Sequence, residues 1–393
     1  MPEYTMHADY PSYVSMDVHS RSIVMRGLNL ETGETRSRRI TGEVGAGNAV
    51  EWATSWLPGP VYFAYESGPC GFQLCRDIRE LGHSCDVIAV TSIPRSPEDK
   101  YLKDDKRDAQ RLLSEMTKVD SKLKTVYVPT TRIESLRDLT RARYDAMTIS
   151  RRSRQLVSSM LTRYGYVWNE RTASGNLCAT WTTCYVAWVK RAELVEPVAQ
   201  ETLRTYLDNA LEDLERLKNI EKRCMAEAES PDVKPYVDAL SRLMCVDALT
   251  ALTFYASMGD FERFGRGRAV SSYYGLVPKR NNSGEKNKRH GSITKAGDAL
   301  VRLTLTEAVS GSLAAAKTNT KKPRKGAVVS SAVELEAKKC NARNRFRLRD
   351  LTEKGKTANV VKMAVASELA RDMWIIGRMV QRELAGQSYR PAS

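Results

Sequence analysis

The chain has 393 residues, 42% of them hydrophobic, so it is long enough for two or three domains and apolar enough to bury their cores. Its 62 Lys and Arg against 47 Asp and Glu give a formal net charge of +15, which favours a polyanionic partner, nucleic acid first and an anionic membrane surface second. No apolar run approaches the ~20 residues of a membrane-crossing helix, residues 1–13 lack a signal-peptide pattern, and the eight cysteines include no Cys-x-x-Cys pair, so a cytoplasmic protein without structural zinc is expected.

In chain order, residues 13–18 (YVSMDV), 22–30 (SIVMRGLNL) and 34–40 predict three successive strands. Residues 48–57 predict a helix stopped by Pro58-Gly59-Pro60. Residues 61–65 (VYFAY) form a short apolar run suited to a buried strand, 72–81 a helix closed by Gly82, and 86–90 (DVIAV) another buried strand. After a loop with two prolines, a helix opens near Asp105. Three strands in a meander, followed by strands that need helical crossovers, is the order of the ribonuclease-H-like fold. A doubly wound nucleotide-binding sheet is the competitor, but no Gly-rich phosphate loop follows any of these strands.

Residues 132–164 predict one long helix with an apolar stripe and seven arginines on its other faces. Residues 168–188 are less regular and rich in tryptophan. Leu203, Leu207, Ala210, Leu214, Leu217 and Cys224 alternate at spacings of four and three, a short coiled-coil seam interrupted by Glu221. That seam fits a dimer, an intramolecular hairpin, or one amphipathic helix packed on its own domain. Ser230-Pro231 ends it, and a last domain begins near Val233. Residues 317–326 (KTNTKKPRKG) predict a basic, poorly structured insert able to track a phosphate backbone. The expected organisation is an α/β N-terminal domain over 1–128, a helical coiled-coil linker over 129–232, and a mostly α domain over 233–393.

Four carboxylates fit this frame. Two-metal phosphodiester chemistry needs several acids converging on ions about 3.5–4 Å apart, and Mg²⁺ prefers such hard oxygen ligands. Asp17 lies in the first strand among Val14, Met16 and Val18, where an unpaired buried charge is costly. Glu66 ends the fourth strand. Asp105 and Asp108 share one face at a helix start, where the dipole also favours acids for ordinary structural reasons. The last domain carries a second signal. Tyr274-Gly275-Leu276-Val277-Pro278 breaks a helix over 269–274, a polar basic loop runs from 279 to 290, and 291–295 (GSITK) leads into a helix from about Ala296. Ser283-Gly284 lies in that loop among Lys279, Arg280, Lys286, Lys288 and Arg289. On composition alone, a Ser-Gly pair in a basic loop is a turn.

These residues, however, resemble a known family. Met16-Asp17-Val18-His19-Ser20, Tyr65-Glu66-Ser67-Gly68 and Lys103-Asp104-Asp105-Lys106-Arg107-Asp108-Ala109 are similar to three ordered motifs of the insertion-sequence one-ten family of transposases, the bridge-RNA-guided recombinases. Residues 126–139, 274–278, 283–284, 291–298 and 344–374 resemble further stretches of that family, so the likeness spans nearly the whole chain. It implies a RuvC-like N-terminal domain whose Asp17, Glu66, Asp105 and Asp108 bind Mg²⁺, and a C-terminal transposase domain whose Ser283 forms a transient phosphoserine link to DNA. It also implies donor and target DNA as substrates, a structured bridge RNA that selects them, and a homo-oligomer, dimer or tetramer. Lys103, Lys106, Arg107, Arg280, Lys286, Arg289 and Lys295, beside these motifs, are the expected nucleic-acid contacts. The alternative activity is a metal-dependent junction-resolvase-like nuclease with no covalent step. Two positions depart from the family pattern. Asp104 stands where the family has Thr or Ser, and Met244-Cys245-Val246-Asp247 replaces a glycine-containing turn that resembles a helix–hairpin–helix element.

Overall fold

The computed structural model describes residues 10–42, 44–94, 105–280, 290–309, 318 and 320–387, with the backbone alone at Asp105, Lys106, Arg280 and His290. It divides into two compact units, Met1–Thr130 and Thr131–Ser393.

The first unit is a mixed α/β structure. Strands β1 (Ser12–His19), β2 (Ser22–Asn29) and β3 (Thr35–Thr41) are followed by α1 (Ala46–Thr54), β4 (Val61–Glu66), α2 (Gln73–Glu80), β5 (Ser84–Ile88) and α3 (Asp105–Met116). One five-stranded sheet runs in the order β3-β2-β1-β4-β5. The first three strands pair antiparallel, whereas β1, β4 and β5 run parallel. The reason is local: two-residue and five-residue connections allow hairpins, while α1 and α2 supply the crossovers that parallel pairing needs.

Alternation along β1 and β4 buries both faces of the sheet. Val14, Met16, Phe63 and Tyr65 pack with Ala49 and Trp52 of α1 and with Cys75 and Ile78 of α2. Tyr13, Tyr62 and Ala64 point the other way, onto Leu112, Leu113 and Met116 of α3. Each such large side chain contributes about 1.5–3 kcal/mol of burial.

The second unit is mostly helical: α4 (Thr131–Arg163), α5 (Thr183–Lys190), α6 (Pro197–Ala228), α7 (Lys234–Leu240), α8 (Ala248–Met258) and α9 (Gly267–Tyr273). A two-stranded ribbon of β6 (Pro278–Arg280) and β7 (His290–Ile293) precedes α10 (Ala299–Val309), α11 (Ser331–Glu353) and α12 (Ala358–Leu384). Helices α4 and α6 form an antiparallel hairpin. Arg132 pairs with Glu227 and Asp232 at one end, Arg143 with Glu221 at 2.6 Å, and Ser153 Oγ donates to Asp213 at 2.5 Å further along. The coiled-coil seam of α6 therefore faces α4 of the same chain, with Leu203, Leu207 and Ala210 on Val157, Met160 and Leu161. Tyr166, Trp168, Trp181, Tyr185 and Trp188 pack beside that cluster. A separate core joins α7 to α12 through Val237, Leu240, Phe254, Phe261, Tyr274, Leu305 and Trp374.

One local expectation changes, and another gains contacts that the sequence did not show. Residues 279, 280 and 290, read as loop, are strand: Pro278 pairs with Ile293 and Arg280 with His290. The basic insert is anchored at both of its described inward-facing cations. Lys321 Nζ donates to the Val246 carbonyl at 2.6 Å, and burial lowers its pKa. Arg324 pairs with Asp238 at 2.8 Å and also with Glu229. These two cations fasten the segment to α7 and the turn before α8, leaving Lys322 and Lys325 exposed.

Candidate active site

The parallel pairing of β1 with β4 decides where the acids of the first unit stand. The register runs from Ser12↔Val61 to Met16↔Tyr65, so Asp17 and Glu66 follow side by side on neighbouring strands. Parity fixes their face. Asp17 lies two residues beyond Ser15, whose Oγ donates to the Ala109 carbonyl of α3 at 2.6 Å. Glu66 lies two beyond Ala64, which packs in the cluster under α3. Both carboxylates thus belong to the face that carries α3.

Helix α3 brings its own acids to the same end. Its Leu112, Leu113 and Met116 lie over Tyr13 and Tyr62, and Ala109 lies at Ser15. Its first turn, with Asp105 and Asp108, therefore extends toward the carboxyl ends of β1 and β4. Asp17 is about one-fifth exposed and its Oδ2 lies 3.2 Å from His19 Nε2. Asp108 pairs with Arg111, one turn along the helix. Among the described residues no three His, Cys, Asp or Glu side chains come together closely enough to hold a metal ion. The Asp105 side chain, Lys106 side chain and Lys103 lie outside the described residues; Arg107 is exposed.

Sequence reasoning left His19 without a role, although its i+2 spacing from Asp17 puts both on one face. It also did not single out Asp86 of β5. Asp86 is satisfied structurally, accepting from Tyr62 Oη at 2.5 Å and Arg79 Nη2 at 2.9 Å.

In the second unit, the β6–β7 ribbon is held at its base by an interlocked pair of turns. Gly275 and Gly297 have φ of +65° and +64°. A Cβ on Gly297 would lie 2.0 Å from the Tyr273 carbonyl oxygen, and one on Gly275 would lie 2.3 Å from the Ala296 nitrogen. Glycine is required at both positions by space as well as by conformation. Arg302 of α10 clamps the same turns, donating to the carbonyls of Tyr274 at 3.2 Å, Gly297 at 3.1 Å and Ala296. Asp298 caps α10 through the Leu300 amide at 2.9 Å and accepts from Ser257 Oγ at 3.1 Å. Complete burial pushes the neighbouring Tyr274 phenol well above its usual range, so it stays neutral. Lys295 is exposed at φ +58°. Ser283, Lys286 and Arg289, and the Arg280 side chain, lie outside the described residues.

The turn before α8 keeps a strained geometry without glycine. Cys245 has φ +72°, while Asn341 Oδ1 accepts from the Met244 amide at 2.7 Å. Asp247 caps α8 at the Thr250 amide, 2.7 Å away. The Val246 amide also donates, to the Leu243 carbonyl at 3.3 Å, so at least two amides of this turn are committed within the protein.

A family model for the IS116/IS110/IS902 transposases matches residues 237–324, the stretch that contains the α8 turn, both glycines, Asp298 and Ser283. The y4qE product of Sinorhizobium fredii, named a transposase, is 34% identical over 352 residues, covering 88% of this chain and 84% of its own. The chain belongs to this transposase family. The transposase for insertion sequence element IS1533 of Leptospira borgpetersenii is 26% identical over 310 residues, covering 75% of this chain and 84% of its own. That for IS1111A of Coxiella burnetii is 40% identical over 77 residues, 20% of this chain and 21% of its own. The family member described above is accordingly a DNA transposase of an insertion sequence. Among its described residues no helix is long and apolar enough to cross a membrane.

Proposed function

We propose that this transposase cuts and rejoins donor and target DNA with a carboxylate centre in its first unit and a serine nucleophile in its second. The observation that carries the first half is the in-register placement of Asp17 beside Glu66 at the carboxyl ends of parallel strands, with the first turn of α3 directed to the same end. The strand order β3-β2-β1-β4-β5, antiparallel then parallel, supports a ribonuclease-H-like, RuvC-like reading of this unit.

The donor set fits Mg²⁺ in its chemistry, since all four candidates are carboxylates. Asp17, Glu66, Asp105 and Asp108 would hold it, and bound Mg²⁺ would supply positive charge to the scissile phosphate. The chain's own part is to position and desolvate that phosphate. Asp17 is steadied by His19, and the flanking cations of α3 offset the charge of the DNA.

Ser283 is the proposed nucleophile. Its Oγ forms a bond to phosphorus as the P–O bond to one deoxyribose breaks; the serine proton leaves and the departing oxygen gains one. Reversal by a second deoxyribose hydroxyl rejoins DNA without an external energy source, because the phosphodiester bond energy is kept in the phosphoserine. The family match over 237–324 and the rigid base of the ribbon support this reading. A bridge RNA that pairs with both DNAs, and a dimeric or tetrameric assembly, complete the proposal on the strength of the family resemblance.

A junction-resolvase-like nuclease would use the same carboxylates and no serine. Denaturing electrophoresis of the full transposase with labelled DNA separates the two. A protein–DNA adduct is expected from the wild type and none from Ser283→Ala. Strand exchange that persists in Ser283→Ala removes the serine mechanism.

A further inference from the structure

The basic insert carries more charge than its anchoring uses. Between Glu307 and Glu334 the sequence has five Lys or Arg residues and no acid. Two of them, Lys321 and Arg324, turn inward. Lys321 Nζ donates to the Val246 carbonyl at 2.6 Å, and Arg324 pairs with the buried Asp238 at 2.8 Å and with Glu229. Lys322 and Lys325 alternate with these anchors and are exposed. Among the described residues no hydrogen bond or ion pair holds either outward ammonium. The exposed cations of α6 differ: Arg204, Arg216 and Lys218 face Glu201, Glu212 and Glu215 about one turn away.

The segment also has a fixed shape. The Ala327 amide donates to the Arg324 carbonyl at 3.0 Å, closing a turn with Lys325 and Gly326 at its corners, and Gly326 has φ +72°. A Cβ on Gly326 would meet nothing within 4 Å, so this corner faces open space. The acids that hold Arg324 are matched by a second cation, because Lys234 pairs with Glu229 at 2.8 Å and with Asp238 at 3.1 Å. Two cations thus balance two carboxylates, and Lys322 and Lys325 remain as uncompensated positive charge.

Burying the Lys321 ammonium costs desolvation free energy, a cost that a loose basic tail would not meet. Fixing the segment before a ligand arrives lowers the entropy lost on binding. Lys322 and Lys325 are three residues apart, at most about 11 Å along the chain. One DNA strand carries a phosphate every ~3.4 Å of helix axis, so both side chains can meet phosphates of a single strand. We propose that Lys322 and Lys325 form a contact site for the phosphate backbone of duplex DNA, with Lys321 and Arg324 holding it in place. In a DNA transposase, duplex DNA is the polyanion favoured over RNA or an acidic protein. The site is independent of the carboxylate and serine readings above, because its test reads binding and not cutting.

The test is metal-free fluorescence anisotropy of the full transposase on a mixed-sequence DNA duplex over a salt series. Lys322→Ala and Lys325→Ala should each lower the slope of log K against log salt by about 0.9, and the double variant by about twice that. The double variant Lys322→Arg with Lys325→Arg should keep the wild-type slope, which guards against a misfolded alanine variant. Lys218→Ala, which removes a paired cation of α6, should also leave the slope unchanged. An alanine double variant with the wild-type slope overturns the site. So does a loss confined to an RNA duplex of the same sequence, or an equal loss in Lys218→Ala, which would reduce the effect to net charge.

Discussion

Asp17 was legible as unusual because it is an acid inside an apolar strand, and Glu66 because it closes one. Their adjacency was not legible, since it comes from parallel register between residues nearly fifty positions apart. His19 shows the same limit: its contact with Asp17 at 3.2 Å follows from strand parity, yet nothing in its local sequence marks it. Gly297 is a residue whose role the structure makes definite. With φ +64° and the Tyr273 carbonyl 2.0 Å from a hypothetical Cβ, Gly297→Ala must move the Gly275 turn or fail to close it. We expect a loss of at least about 2 kcal/mol, from strain and overpacking together, read as a lower denaturant midpoint. An unchanged midpoint would show that the two turns are not interlocked.

At the scale of elements, helices and strands were read to within a few residues where period and turn chemistry agreed, as for β2, α4 and α6. The β6–β7 stems were missed because three- and four-residue strands carry too little alternation to register. The basic insert forms no helix or strand among its described residues, as expected, but its anchoring was not legible. The acids that hold Arg324, Asp238 and Glu229, lie 86 and 95 residues away in sequence. A comparable long-range clasp gives α12 a pH dependence. Glu262 accepts from Arg378 Nε at 2.9 Å and Arg382 Nε at 2.5 Å, and Arg382 first, then Arg378, holds its carboxyl below the usual glutamate value of 4.5. A carboxylate with a lowered folded pKa stabilises above its unfolded pKa, and that stability is lost as pH falls through the folded value. The thermal midpoint should therefore drop as pH falls below about 4.5, and Glu262→Gln should flatten part of that drop. A variant whose acid-side profile matches the wild type would show that the clasp contributes nothing.

For the whole molecule, charge and length favoured a multidomain protein with a polyanionic partner, and the chain divides into two compact units, Met1–Thr130 and Thr131–Ser393. The seam of α6, open in sequence to several partners, packs on α4 of its own chain. Chemistry was less legible than architecture, because a catalytic centre is a convergence of distant residues and only its ordered motifs survive in one dimension. The central claim is that Asp17 and Glu66 act together on a phosphodiester with Mg²⁺. Its most direct measurement is Mg²⁺-dependent cutting of supercoiled DNA by the wild type, Asp17→Asn and Glu66→Gln at matched folding. Each variant should cut at least about 10²-fold more slowly, the scale of losing several kcal/mol of charge stabilisation in the transition state. Cutting by Asp17→Asn at the wild-type rate, or wild-type cutting that survives EDTA, would contradict it.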